Sequence, residues 1–307
     1  VTAAQPGAAV SILTPGPLAL IEDLGRPGHA AVGVSPSGAL DRGALALANR
    51  LVGNPESAAG VEILLGGFAA RFEAPVWFAV TGAPARLFLD GRPVDPHAAV
   101  HAEAGAELRI AQPAAGMRSY LAVRGGIDVE AVLGSRSRDT LSGLGPGALQ
   151  PGDLLPIGAE PPTPVPAIDF VPHAEPGDEP TEVRAHRGPR ADWFTPAALD
   201  AFFTVEWRVS ADGDRVGVRL DPPRVRSHAV GVEPSPPPLL ERAVTGELPS
   251  EPMVAGAVQV SPDGRPTVLL ADHPVTGGYP VIAVVAERSL DAFAQLRPGH
   301  TVFFRHA

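Results

Sequence analysis

Short apolar runs broken by turn residues dominate the chain, and long helical periodicities are few. Residues 76–81, 86–89, 108–110 and 120–123 read as strands in the first half, and 207–209, 258–260, 268–270, 281–285 and 301–304 in the second. Two stretches carry helical spacing instead. Residues 40–52 place Ala44, Leu45, Leu47, Ala48 and Leu51 on one apolar face, with Ser37 or Asp41 to cap the start and Gly53-Asn54-Pro55 to stop it. Residues 197–203 follow Thr195-Pro196, which puts proline at the favoured first helical position. Many short strands joined by many turns predict a mainly β architecture.

Part of this pattern occurs twice. Leu108-Arg109-Ile110-Ala111 leads through Gly116 to Tyr120-Leu121-Ala122-Val123, and Val268-Leu269-Leu270-Ala271 leads through Gly277 to Val281-Ile282-Ala283-Val284. A helix-capping residue type follows each, Asp128 and then Ser289, with apolar residues behind it at helical spacing. Each copy closes with Leu-x-Pro-Gly and a strand. The repeat predicts two related subdomains, 1–160 and 181–307, joined by a Pro-, Glu- and Ala-rich linker at 161–180.

Polar residues gather at four places. Residues 269–285 read as a buried strand, a tight turn and a second buried strand, the turn carrying Asp272, His273, Thr276 and Tyr279. Gly277 and Gly278 would give that turn positive φ and let the backbone approach a ligand. Ahead of the first helix, strand-turn glycines carry Asp23, Arg26, Ser37 and Asp41 towards a helix N-terminus, where free amides attract anions. The alternative there is a surface turn with an exposed Asp23–Arg26 ion pair of little worth. Asp214 and Arg215 sit between short apolar residues at the expected mouth of the second barrel, and Gln259 lies on a strand nearby. The first copy alone has extra residues at 134–147. Ser135, Arg136 and Ser137 on this flexible insertion suit an anionic ligand, or it is a solvated loop.

Composition narrows the chemistry. The net charge of −10 argues against nonspecific nucleic-acid binding and gives no basic surface for anionic lipid. No segment approaches membrane-spanning length, and Val1 to Val10 lacks the basic start and apolar core of a signal peptide, so a cytoplasmic protein is expected. Cysteine is absent, which removes disulfides and thiolate catalysis. All 24 basic residues are arginine. Without lysine the chain forms no Schiff base, has no P-loop lysine and carries no covalent biotin; phosphate or carboxylate must be held by arginine, backbone amides or a metal. His97 and His101 are spaced by four, but Pro96 and Gly105 bracket them in a strand-loop, so no metal site is assigned. His273 is the histidine placed to act as acid or base. Trp77, Trp193 and Trp207 are expected to anchor the core.

Seven motifs then come in order: DLGRPG at 23–28, GVSPSGALD at 33–41, ANRLVGNP at 48–55, TGA at 81–83, YLAVRGGIDVEAVLGSRSRDT at 120–140, GDRVGVRL at 213–220 and TGGYPVIAVV at 276–285. Together they resemble the biotin-dependent carboxyltransferase-like family long labelled allophanate hydrolase subunit 2, whose members are now more often taken as the C subunit of the ATP-dependent bacterial 5-oxoprolinase. The resemblance covers nearly the whole chain. Val216 stands where many relatives have methionine, and His273-Pro274 where an arginine- or glutamine-containing pair is common, a departure that bears on substrate contacts.

The resemblance implies two tandem cyclophilin-like β-barrels with a few short helices. It implies a heterocomplex with a B subunit (the allophanate hydrolase subunit 1 type), joined transiently by an A subunit, in which ATP and Mg2+ drive the opening of 5-oxoproline to L-glutamate. Such a site needs fixed positive charge for phosphate and donors aimed at the developing oxyanion. Arg26, Arg124, Arg136 and Arg215 would supply guanidinium groups, and Asp23, Asp214 or Asp272 would hold a metal or accept a proton. Ser135, Ser137, Thr276 and the amides around Gly125-Gly126 and Gly277-Gly278 would orient ligand oxygens, with Ser37, Asp41, Gln259 and Tyr279 beside them. Two other classes fit the same resemblance: a carboxyltransferase subunit of the urea carboxylase/allophanate hydrolase type using biotin carried by another protein, and a noncatalytic regulatory partner of the subunit 1 type protein.

Overall fold

The computed structural model describes residues 8–168, 171, 179–222 and 239–307. The chain divides into two compact units, residues 1–29 with 36–177 and residues 30–35 with 178–307. The first contains β1 (Ala9–Pro15), β2 (Leu18–Glu22), helix α1 (Arg42–Leu51), β3 (Gly60–Leu64), β4 (Phe68–Phe72) and β5 (Val76–Gly82). It continues with β6 (Leu87–Leu89), β7 (Arg92–Val94), β8 (Val100–Ala102), β9 (Glu107–Ile110), β10 (Arg118–Val123) and β11 (Leu154–Pro156). These strands form two open sheets, ordered β11-β1-β4-β9-β6-β7 and β2-β3-β10-β5-β8.

Alternation along the strands sends Val10, Ile12, Phe68, Ala70, Phe72 and Leu108 of one sheet against Ile21, Val61, Ile63, Phe78, Val80, Leu121 and Val123 of the other. The second sheet is covered on its other face too, where Ala48 and Leu51 of α1 and Val52 just after it meet Ala79 and Ala122. That is why every residue of β10 is buried, as expected of a strand covered on both sides.

The second unit contains β12 (Thr181–Arg187), α2 (Pro196–Thr204), β13 (Glu206–Gly213), β14 (Gly217–Asp221), β15 (Glu251–Pro252) and β16 (Ala257–Val260). After them come β17 (Pro266–Leu269), β18 (Thr276–Gly277), β19 (Val281–Val285), α3 (Leu290–Phe293) and β20 (Thr301–His306). Seven of its strands close into a barrel, β12-β19-β16-β17-β14-β13-β20, and β15 pairs with β18 outside it. Proline at the start of α2 and the Thr195 side chain accepting from the Ala198 amide fix that helix. Its Phe202 ring stacks on Phe304 of β20 at 4.4 Å and leans on the fully buried Trp207.

Several expectations are corrected. The fold is mainly β, but among the described residues it holds one closed seven-stranded barrel and open sheets, so it is not a tandem of two cyclophilin-like barrels. The repeated segments share their strands, but no helix follows Asp128. Leu133 and Gly134 turn with φ of 52° and 82°, and Val132 bridges to Ser135, whereas the second copy forms α3. Strands β17 and β19 are not a hairpin: β16 lies between them and pairs with both, so residues 270–280 cross over rather than double back. Neither Gly277 nor Gly278 takes a positive φ. Trp77 is 36% exposed and meets His101 edge-on at 5.2 Å, so it is no core anchor. Of the segment expected as linker, residues 161–168 fall within the first unit, and 169–170 and 172–178 lie outside the described residues.

Candidate functional site

In the first unit, three of the sequence motifs meet. The loop after β2 and the loop leading to α1 lie against each other, with Arg26 N donating to Pro36 O at 2.7 Å and Ala39 N to Asp23 O at 2.9 Å. Gly25 and Gly38 make this approach possible. Both have positive φ, and a Cβ on Gly25 would fall 2.5 Å from the carbonyl oxygens of Pro36 and Ser37. The insertion at 134–147 closes over the pair and is tied down at many points. Asp23 is buried, and its Oδ1 accepts from Ser135 Oγ and Ser137 Oγ, each at 2.6 Å, and from Gly25 N at 2.7 Å. Its Oδ2 accepts from Arg136 N at 2.7 Å, while Asp23 N donates back to Ser137 Oγ at 2.8 Å. Ser37 Oγ donates to Arg138 O, and Asp139 caps the amides of Leu141 and Ser142. A segment expected to be flexible is thus a fixed part of the cluster.

Arg26 is 1% exposed and makes no ion pair with Asp23, so the exposed pair considered from sequence is not formed. Its Nε donates to Val132 O at 3.2 Å and its Nη2 to Ser137 O. Its Nη1 is buried with no hydrogen-bond partner among the described residues. Two main-chain carbonyls therefore fix the plane of a cation and leave one donor nitrogen unused. Arg136 is pinned differently, with Nε on Val129 O at 2.8 Å and Nη2 on the Asp128 carboxylate at 2.5 Å, half in solvent.

Asp41 begins α1, where its Oδ1 accepts from Ala44 N. Residues not singled out from sequence hold that helix start: Tyr120 Oη accepts from Asp41 N and donates to Glu62 Oε2, both at 2.8 Å, and Glu62 Oε2 also accepts from Leu40 N at 3.0 Å. Arg118 stands 3.3 Å from the other Glu62 oxygen. Burial, and then the carboxylates of Glu62 and Asp41, push the Tyr120 phenol well above its ordinary value of 10.0. A charged residue inside the apolar run Gly60–Leu64 was the available signal for this network.

Arg124, Gly125 and Gly126 lie apart from the loop cluster's bonding. Arg124 binds Val52 O and Pro161 O at 2.8 Å, Thr163 O and the Glu160 carboxylate, clasping the segment at 160–163. Gly125 N donates to Asn54 Oδ1 and Gly126 N to Val123 O, so both amides are already taken.

In the second unit, Arg215 and Asp272 form a buried two-point pair at 2.9 and 3.2 Å, with Asp272 N donating to Arg215 O at 3.0 Å. Ser35 Oγ holds the next carbonyl back, Ala271 O, at 2.7 Å. His273 follows, 2% exposed, with Nδ1 2.9 Å from Pro274 O and with Nε2 lacking a hydrogen-bond partner among the described residues. Asp214 is exposed and caps Val216 N at 2.8 Å. Thr276 and Gly277 pair with β15, and a Cβ on Gly277 would fall 2.4 Å from Gln259 Nε2, which donates to Tyr279 O at 3.3 Å. Gly278 is exposed, and the Tyr279 ring lies under the Arg242 guanidinium at 5.9 Å. Among the described residues no three His, Asp or Glu side chains stand together as a metal cage, and no helix is long and apolar enough to cross a membrane.

The chain is mainly β, with a buried arginine in one unit and a buried histidine in the other that each keep one ring or guanidinium nitrogen without a hydrogen-bond partner among the described residues. The model of the carboxyltransferase domain, subdomains A and B, matches residues 32–306, and the chain belongs to that biotin-dependent carboxyltransferase family. It is 37% identical to the C subunit of Escherichia coli 5-oxoprolinase, over 96% of this chain and 90% of that one. It is 33% identical to the same-named protein of Haemophilus influenzae, over 93% and 87%. It is 32% identical to the urea amidolyase of Saccharomyces cerevisiae, over 96% of this chain but 16% of that protein. The crystal structure of TTHA0988 superposes with a TM-score of 0.81 at 34% identity, over 99% of this chain, which spans 57% of that one. Kluyveromyces lactis urea carboxylase superposes at 0.84 with 28% identity, over 98% of this chain and 27% of its own. The relatives named as 5-oxoprolinase subunits, urea amidolyase and urea carboxylase carry enzyme names, and membership in the family supports an enzymatic role.

Proposed function

We propose that this chain is the C subunit of an ATP-dependent 5-oxoprolinase, working with B and A subunits to open 5-oxoproline to L-glutamate. The observation that carries the reading is its 37% identity to the C subunit of a 5-oxoprolinase, over 90% of that relative. The buried chemistry is compatible with the reaction. Opening a lactam with ATP places carboxylate and phosphoryl oxygens in one site, and Arg26 Nη1 is a buried cationic donor with nothing bound to it among the described residues. The described residues give ATP a cationic donor but no exposed cradle, since Arg26 is 1% exposed and its Nη1 is sealed. They offer no dedicated Mg2+ cage among the described residues, so the ion would arrive on the phosphates of the nucleotide, and no step here runs through it.

In this reading the chain's own work is positioning. Val132 O and Ser137 O hold the Arg26 guanidinium in one plane, and Asp23 fixes the 135–137 segment that supplies Ser137 O. The test is ATP hydrolysis by this chain copurified with its B subunit, then supplied with the A subunit, with and without 5-oxoproline. Stimulation by 5-oxoproline supports the reading, and Arg26→Leu lowers kcat/KM about 10- to 100-fold as a charge-assisted bond is lost. A folded complex that ignores 5-oxoproline and instead carboxylates urea from carboxybiotin would transfer the chain to the urea carboxylase branch.

A further inference from the structure

The second unit holds a solvent-open cavity of about 510 Å3, within the range of small-molecule sites. Two backbone segments form it, residues 239–245 and the turn between β16 and β17. Leu240 N donates to Gly264 O at 3.1 Å, and Gly264 N to Ser261 O at 2.9 Å. Gly264 takes a φ of 75°, and a Cβ there would fall 2.9 Å from the Leu239 Cβ, so glycine is what lets the two segments meet. The first segment is also tied from behind, with Thr195 N donating to Glu241 O at 3.1 Å and Ala243 N to Trp193 O at 2.8 Å.

Arg242 is the one basic residue in the cavity's lining, and it is half-buried. Its Nη2 donates to Val260 O, and its guanidinium stands over the Tyr279 ring at 5.9 Å. Nη1 makes no hydrogen bond among the described residues and, unlike the sealed Nε, reaches the surface. A guanidinium held in place with an accessible nitrogen is a receptor for carboxylate or phosphate. The other charges in the lining decide between the two. Glu241 is exposed there, and Asp263, which accepts from Ser261 Oγ and the Arg265 amide, adds a second carboxylate. Two negative groups repel a multiply charged phosphate more than a single carboxylate. The remaining surface includes Leu239, 52% exposed, and Pro262, an apolar wall for the body of a ligand.

We propose that this cavity is a binding site for a small monocarboxylate with a compact apolar body, its carboxylate on Arg242 Nη1 and its body against Leu239 and Pro262. The proposal does not depend on the reaction inferred above. 5-Oxoproline is one ligand of this chemistry, and an effector carboxylate that is never turned over is the other.

The experiment is an NMR titration of the intact chain, read at its tyrosine rings. There are two tyrosines: Tyr120 is fully buried in the first unit and serves as the control, and Tyr279 lies beneath Arg242. Cyclopentanecarboxylate is expected to move the Tyr279 signals saturably and leave those of Tyr120 in place. Cyclopentylmethanol, the same body without the charge, should bind about tenfold more weakly, and inorganic phosphate no better than the alcohol. Arg242→Gln should weaken cyclopentanecarboxylate by about tenfold, and Leu239→Ser, at an exposed position that leaves the cation untouched, by about threefold. A parallel titration with 5-oxoproline separates the sources. A Tyr279 shift in the same concentration range supports the site as one for the proposed substrate, and no shift beside a bound cyclopentanecarboxylate supports it as an effector site. A Tyr279 ring that ignores cyclopentanecarboxylate, answers the alcohol equally, or responds unchanged in Leu239→Ser overturns the assignment. None of these readings involves turnover, so their failure leaves the oxoprolinase reading standing, and a failure of that reading leaves the cavity to be judged on binding alone.

Discussion

Two buried aspartates, one in each unit, are kept by different means. Asp23 takes four hydrogen bonds from neutral donors, two serine hydroxyls and two main-chain amides, and makes no ion pair among the described residues. Asp272 is held by the guanidinium of Arg215 at two points. Neutral donors leave the charge of Asp23 in place, and Arg26 stays a separate cation linked to it through Ser137 and, by way of Val132 O, through Ser135. The Arg215–Asp272 pair cancels its own charge, so what it offers is rigidity, and the next residue, His273, keeps a buried Nε2 with no hydrogen-bond partner among the described residues. One polar cluster thus holds its buried carboxylate with neutral donors alone, and the other with a cation at two points.

Breaking the ion pair gives the largest effect. Arg215→Ala strands a buried carboxylate and is expected to cost about 3–5 kcal/mol, whereas replacing both partners by leucine or methionine costs much less; urea denaturation of the three proteins checks this. Gly38→Ala comes next. Its Cβ would stand 2.8 Å from Gly25 N at a φ of 98°, so the two loops of the first cluster must separate, at about 3 kcal/mol in the same assay. Ser135→Ala and Ser137→Ala each remove one of the neutral donors and cost about 1–2 kcal/mol, and the double variant loses less than the sum because both serve one carboxylate.

The smallest effect appears in alkali. The Tyr120 phenol is raised in the folded protein, so the fold favours its protonated form. That contribution is complete below the ordinary value of 10.0 and is lost as pH climbs through the higher folded value. Stability should fall above about pH 10, and Tyr120→Phe should lower stability by about 1 kcal/mol at neutral pH while flattening the alkaline decline. A decline of equal slope in both proteins would mean that Tyr120 does not carry it.

Much of the architecture was legible because local rules acted undisturbed. The spacing of Ala44, Ala48 and Leu51 and the cap at Asp41 located α1 within two residues of its ends, and Thr195-Pro196 opened α2 as read. The strand runs were found for the same reason. Sheet closure was not legible, because pairing order is a long-range property: β16 inserts between β17 and β19 although it precedes both, and nothing in residues 269–285 announces it. Likewise Asp128 has the residue type of a helix cap, but Leu133 and Gly134 turn the chain before a helix forms.

The polar clusters were half legible. Motif order brought Asp23, Arg26, Ser37, Ser135, Arg136 and Ser137 together as candidates, and the fold does gather them. What sequence could not give is which atoms are already engaged. Arg124 and the Gly125 and Gly126 amides serve the chain's own segments, while one buried nitrogen on Arg26 and one on His273 have no hydrogen-bond partner among the described residues. The roles of Glu62 and Tyr120 were not read because an acid in a strand and a buried tyrosine reveal their purpose only when they meet at the start of α1.

The most direct test of the central claim is product formation. This chain, purified with its B subunit, then mixed with the A subunit, ATP, Mg2+ and 5-oxoproline, is expected to release L-glutamate in step with ADP and phosphate. A folded, fully assembled complex that yields no glutamate, yet carboxylates urea when given carboxybiotin, would contradict the account.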